Sequence, residues 1–270
     1  MPHVLIPLDG SDLALEAVSL VLETRPSRVT LLHVLEERER PAAVETIFQA
    51  VEARGLPLAE CRTLVREGRP ADVILALAED LGVSLVALST HGRTGLNRLV
   101  LGSVAEEVAR ASPVPVLLRR AGSPAPPGPL LARPVIGYDG SPRAWGAVEA
   151  LALLARDRLG QVTLLSALDV EPPSPDGSDE LMDRLIARRR DEVLARGLQA
   201  AERARGLGLS AVALVKEGRP STVILDAAEE LGATLVVVAT HGRTGLTRWV
   251  FGSVAEELLH ASPRPLLVVH

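Results

Sequence analysis

The second half of this 270-residue chain repeats the first. Residues 66–118 align with 216–268 at constant spacing and without a gap, and about 33 of the 53 positions are identical. THGRTGL occurs at 90–96 and again at 240–246, GSVAEE at 102–107 and 252–257, and EGRP at 67–70 and 217–220. Upstream the match is looser, with Asp9-Gly10-Ser11 paired to Asp139-Gly140-Ser141 and VTLL at 29–32 to VTLL at 162–165. A repeat of this kind restricts the chain to an architecture that one half can specify and that occurs twice. The reading is a first domain at 1–120, a linker at 121–132 and a second domain at 133–270. The stretch RRAGSPAPPGPLLAR, residues 119–133, has four prolines and two glycines, which leaves few helix or strand options and suits a semi-stiff connection.

Within each copy short apolar runs alternate with helical patterns. In the first, the patterns predict strands at 3–8, 28–34, 58–65, 84–89 and 114–118, and helices at 12–23, 41–54, 70–81 and 103–111. Runs such as VLI and LVAL are apolar at every position, as in strands buried on both faces of a parallel sheet. The predicted fold class is therefore α/β: two tandem open parallel five-stranded sheets, helices on both faces, Rossmann-like. With aromatics at 2%, the core must be built mostly of Leu, Val, Ala and Ile. Ser11 and Ser141 are placed to cap the first helix of each copy, and Pro142 suits its first turn. The second copy is longer in its middle, where Pro172, Pro173 and Pro175 precede a charged stretch from Asp179 to Arg205, predicting a loop and then a long exposed helix. The final strands, 114–118 and 265–269, are expected to be sheet edges, whose free backbone groups invite pairing.

Bulk properties exclude several function classes. A net charge of −5 argues against a general nucleic-acid binder. The N-terminus lacks a basic segment followed by a long apolar one, and no apolar run approaches the ~18–20 residues of a membrane span, so a cytoplasmic protein without a membrane partner is expected. Cys61 is the sole cysteine, so no intrachain disulfide can form. The chain has no GxxxxGK[ST], no GxGxxG after a strand and no GxSxG. Lys216 is its only lysine and lies far from the repeated loop, so the charge clamp of fast phosphoryl transfer is not assembled. No catalytic residue and no metal site are assigned.

The informative segment runs from Ser89-Thr90-His91-Gly92-Arg93-Thr94-Gly95 to Gly102-Ser103, after an apolar strand and before a helix. Doubly wound sheets bind ligands at this end of their strands, and a helix N-terminus there offers backbone N–H groups to phosphate. Gly92 and Gly102 allow close backbone approach, Ser103 can donate its hydroxyl, and Asp9, at the end of the first strand, can accept from a ribose hydroxyl. Gly242, Gly252, Ser253 and Asp139 repeat the arrangement. Arg93 and Arg243 can neutralise phosphate charge, and His91 and His241 sit where they would position the loop or approach phosphate. A ligand-free account of the same residues exists. Ser103-x-x-Glu106 and Ser253-x-x-Glu256 read as capping boxes, and Gly92 and Gly95 serve equally as turn residues.

These motifs together resemble the universal stress protein family in its tandem form. ATP-binding members of that family carry Gly-x2-Gly-x9-Gly-Ser/Thr, matched here by Gly92 followed after nine residues by Gly102-Ser103, and by Gly242 followed by Gly252-Ser253. The opening Pro7-x-Asp9-Gly10-Ser11, the LLHV at 31–34 and the late SxxPVPVLL pattern also fit. The resemblance implies an adenine-nucleotide α-hydrolase-like fold with ATP as ligand, with or without Mg2+. It places Pro7, Leu8, Asp9 and Val34 around the nucleoside and His91, Gly92, Arg93, Gly102, Ser103 and Val104 at the phosphates. The second copy offers Asp139, Ala167, Gly242, Arg243, Gly252, Ser253 and Val254. It departs from the pattern more, with Gly137-Tyr138 for Pro7-Leu8 and Ala167 for Val34, so the first copy is expected to bind more tightly. In both copies the motif's first glycine is replaced, by Ser89 and Ala239. The resemblance further implies ATP as a regulatory ligand in stress response without fast catalysis, with a slow ATPase or phosphotransferase and a non-nucleotide interaction module as alternatives. It also implies pairing of the two repeats through their last strands as an intramolecular pseudo-dimer, and a homodimer beyond that.

Overall fold

The computed structural model describes residues 2–35, 42–90, 102–120, 122–155, 159–169, 180–240 and 251–270. The first copy comprises β1 (His3–Pro7), α1 (Ala14–Thr24), β2 (Arg28–Leu35), α2 (Ala42–Glu52), a 3-10 turn (Leu58–Glu60), β3 (Cys61–Glu67), α3 (Pro70–Asp80), β4 (Leu85–Ser89), α4 (Ser103–Ala111) and β5 (Val116–Arg119). The second comprises β6 (Pro134–Gly137), α5 (Pro142–Ala155), β7 (Gln161–Leu168), α6 (Glu180–Arg205), β8 (Ser210–Glu217), α7 (Pro220–Glu230), β9 (Leu235–Ala239), α8 (Ser253–Ala261) and β10 (Leu266–Val269). Residues 58–60, expected to open the third strand, instead turn, and the strand begins at Cys61.

The expectation of two separate sheets is corrected. The strand order is β3-β2-β1-β4-β5-β10-β9-β6-β7-β8, one ten-stranded sheet. Pairing is parallel within each half and antiparallel where β5 meets β10. The last strands are thus not edges but the centre of the sheet, and β3 and β8 form its rims. The physical reason is that each last strand would otherwise expose a row of unpaired N–H and C=O groups, and facing each other they satisfy both rows.

Alternation along the strands divides the core into two layers. Val4, Ile6, Leu31 and Ala87 pack on the side of α1 and α2, whereas Leu5, Leu32, Val86 and Leu88 pack on the side of α3 and α4. Each layer continues into the second copy, through Leu117 and Leu267 on one side and Val116, Leu118, Leu266 and Val268 on the other. At the seam, Arg110 of α4 bonds Glu106 of its own helix (3.0 Å) and also Glu256 of α8, and it lies over the Phe251 ring, 5.1 Å from its centre. His260, at Arg110's place in the second copy, approaches Glu256 at 3.2 Å.

The connection between halves is tied down at its C-terminal end. Leu130 and Leu131 are buried, and the Leu130 N–H donates to the Glu23 carboxylate of α1. The Thr234 hydroxyl donates to the Leu130 carbonyl and accepts from the Arg133 N–H, both at 2.9 Å. Gly160 donates to the Leu131 carbonyl (2.9 Å), and any β-carbon there would collide with the Ala132 backbone.

The long helix expected in the second copy is α6, 26 residues and about 39 Å from end to end. Its buried face is Gly197, Ala200, Ala201 and Ala204, where α2 buries Val44, Ile47, Phe48 and Val51 at the same spacing. Small residues let α6 lie close to the sheet: a β-carbon at Gly197 would stand 3.0 Å from that of Ala213 on β8.

Candidate functional site

The Asp-Gly-Ser segments after β1 and β6 fold alike. Asp9 Oδ1 accepts from the Ser11 N–H (3.0 Å) and hydroxyl (2.6 Å), and Ser11 Oγ accepts from the Ala14 N–H (3.1 Å). In the second copy Asp139 Oδ1 accepts from the Ser141 N–H (2.9 Å), and Ser141 Oγ from the Ala144 N–H (3.1 Å). The glycine between them has φ 82° at both Gly10 and Gly140, the left-handed region that glycine enters freely. These bonds fix each aspartate at the carboxyl end of its strand. Ser141 caps α5 as expected, whereas α1 has Leu13 at its N-cap without a side-chain cap, so Ser11 holds only the turn ahead of that helix.

A second brace holds the residue before each aspartate. His33 Nδ1 donates to the Leu8 carbonyl (2.7 Å), and the Ser166 hydroxyl donates to the Tyr138 carbonyl (2.6 Å). Both donors are buried and follow the VTLL of their copy. Sequence reasoning missed them because the two side chains differ while their positions match.

The other wall is the helix after the repeated loop. Gly102 donates to the Thr90 carbonyl and Gly252 to the Thr240 carbonyl, so the residues flanking each loop are joined. Residues 91–101 and 241–250 lie outside the described residues, and with them His91, Gly92, Arg93, His241, Gly242 and Arg243. The capping-box expectation is overturned. The N-cap residues are Gly102 and Gly252, without a side-chain cap, and Ser103 and Ser253 are the first residues inside their helices. The Glu106 and Glu256 carboxylates reach Arg110 instead. Glu106 N–H is the first of α4 to bond back, to the Gly102 carbonyl, and Glu256 does the same to Gly252. The three N–H groups before each of them therefore face outward without an intrahelical acceptor. Gly102 (φ −65°) and Gly252 (φ −67°) adopt backbone that any residue can adopt. Turn geometry does not call for glycine there.

In the second copy these walls enclose a cavity of about 340 Å3 at the carboxyl ends of β6, β7 and β9, a size typical of small-molecule sites. Asp139, Ala167, Gly252, Ser253 and Val254, all selected from the sequence, line it together. Gly137, standing where the first copy has Pro7, also lines it, and a β-carbon there would press on the Ile224 side chain at 2.9 Å. Burial pushes the Tyr138 hydroxyl above its ordinary pKa, against the charges of Arg203 and Arg196. Sequence reasoning missed Val193 and Arg196, which α6 contributes to the lining. In the first copy Pro7, Leu8, Asp9 and Val34 lie at the ends of β1 and β2, and Gly102, Ser103 and Val104 at the start of α4, the same elements in the same order. The Ser89 hydroxyl at the end of β4 is buried there without a hydrogen-bond partner among the described residues.

The universal stress protein family model matches residues 1–120 and 133–270, nearly the whole chain. The chain belongs to the universal stress protein family. A universal stress protein of Mycobacterium tuberculosis is 32% identical over 196 residues, covering 68% of this chain and 61% of the relative, so the chain is matched to about three fifths of that protein's length. The solved universal stress protein of Archaeoglobus fulgidus superposes with a TM-score of 0.69 at 21% identity, covering 99% of this chain and 97% of its own. A putative universal stress protein of Pseudomonas aeruginosa gives 0.70 at 21% identity, with 100% and 93% covered. These two likenesses concern the fold. In this universal stress protein chain, no described helix is long and apolar enough to cross a membrane.

Proposed function

We propose that the chain binds ATP as a regulatory ligand at one or both repeats, without fast catalysis. The observation that carries this reading is the second-copy cavity, which Asp139 lines together with Ser253, Val254 and Ala255 at the start of α8. A carboxylate for ribose and a helix N-terminus for phosphate are the two ends a nucleotide requires. Loss of the capping-box explanation leaves the Ser103 and Ser253 hydroxyls exposed and available to a ligand. Asp139 is the single carboxylate among the described lining residues, so in this reading Mg2+ enters with the phosphates and not in a protein cage. The loop residues His91, Gly92, Arg93, Gly242 and Arg243 complete the phosphate side in this reading. It treats 1–120 and 133–270 as two domains that pair within one cytoplasmic chain as a pseudo-dimer, which the β5–β10 pairing supports. Native mass spectrometry and calorimetry with ATP test it. Retained or bound adenine nucleotide is expected, and no binding at millimolar ATP would overturn it.

A further inference from the structure

Among the described residues lining the second cavity, two carry charge, Asp139 and Arg196. Arg196 comes from α6, the helix that sets the second copy apart from the first. Its placement follows from the packing below it. Gly197 and the alanines at 200, 201 and 204 bring α6 down on the sheet, and the guanidinium then overhangs the turn after β6, where a β-carbon at Gly140 would lie 3.6 Å from Nη1. Several other α6 arginines are paired with carboxylates: Arg188 with Glu192, Arg203 with Glu149, and Arg205 with Glu202. Among the described residues no carboxylate lies within ion-pair distance of Arg196, whose one hydrogen bond, from Nε to the Glu192 carbonyl, is long at 3.4 Å. Its Nη groups are thus left to the cavity mouth. At the matching position of α2, set by aligning Val44, Ile47, Phe48 and Val51 with Gly197, Ala200, Ala201 and Ala204, the first copy has Ala43.

We propose that Arg196 is a ligand-contacting residue of the second site, selecting there for a phosphorylated nucleotide over the uncharged nucleoside. The inference rests on the nucleotide reading of this cavity. A guanidinium presents paired N–H donors that match phosphate oxygens, and its charge favours an anion in a partly desolvated mouth. An uncharged nucleoside gains nothing from that charge.

The test is calorimetry on the full chain with ATP and with adenosine, using Gly252→Val to assign the second site. Arg196→Gln is expected to weaken ATP binding at that site roughly tenfold, leaving adenosine within about twofold. Arg196→Lys should restore part of the loss. ATP affinity should fall with added salt more steeply in the wild type than in Arg196→Gln. Arg196 is exposed, so its thermal midpoint should stay near that of the wild type and serve as the folding control. If the wild type binds no ATP that Gly252→Val removes, the nucleotide reading of this cavity fails. If it does, and Arg196→Gln leaves ATP unchanged or weakens adenosine equally, the Arg196 assignment alone is overturned.

Discussion

Leu117 of β5 stands directly opposite Leu267 of β10, the same residue of the two copies paired with itself. Val116 and Leu118 face Val268 and Leu266 on either side, so the seam is symmetric about this one pair. Both leucines are almost fully buried, and the core runs through them from one half to the other. Leu267→Ala is expected to cost about 2–5 kcal/mol of unfolding free energy in urea. With Leu117→Ala it should show a coupling of at least ~0.5 kcal/mol in a double-mutant cycle, as contacting residues do. Additive effects would mean that the halves unfold independently.

Arg110 bridges Glu106 and Glu256 from a partly exposed position, 38% for its side chain. Solvent screening keeps such a pair weak, so Arg110→Ala should lose about 1 kcal/mol or less. The loss should shrink when denaturation is repeated at 1 M salt. Part of it should survive, because the guanidinium also covers the Phe251 ring.

The His33 and Ser166 braces act on backbone rather than on a ligand. Replacing either by alanine leaves a carbonyl beside the site short of its donor, at a cost of about 1–3 kcal/mol. Denaturant midpoints should fall for both variants, and nucleotide affinity should weaken only at the copy that carries the change.

His3 is buried with Nε2 2.9 Å from the Thr30 hydroxyl, and burial together with the Arg28 and Arg62 charges lowers its pKa below the usual 6.5. The folded state then binds this proton less readily than the unfolded one. Its contribution is complete above about pH 6.5 and is lost as the pH falls from there through the folded value. Stability measured across pH 4–8 should show a smaller acid-side decline in His3→Gln than in the wild type.

Much of this molecule can be read along its sequence. The double-sided apolar runs gave the parallel strands, and the second Asp-Gly-Ser segment gave the cap of α5, whereas α1 starts two residues later than Ser11 alone suggests. What escaped did so for identifiable reasons. Ser-x-x-Glu fits a helix whether the serine is the cap or the first residue inside, and only the extended backbone of Gly102 and Gly252 decides between them. Leu58 continues the apolar pattern of β3, yet it follows Pro57 into a turn. The seam residues VLL and LLV read alike in both directions, so the residues themselves showed the strands, and their pairing was expected only from the family resemblance. Arg196 lies where the copies diverge, and comparing one half with the other could not mark it. Residues selected around the loop remain partly outside the described residues, His91 and Arg93 among them.

The connection through Leu130 and Gly160 has an evolutionary consequence. Two identical chains joined along the same strand would set arginine against arginine at the position shared by Arg110 and His260. Here a single backbone ensures that Arg110 always meets the His260 side of the seam and never its own copy. The halves are in effect a heterodimer whose partners cannot be exchanged. Each is then free to drift, so that one copy can carry Arg196 where the aligned position of the other is alanine.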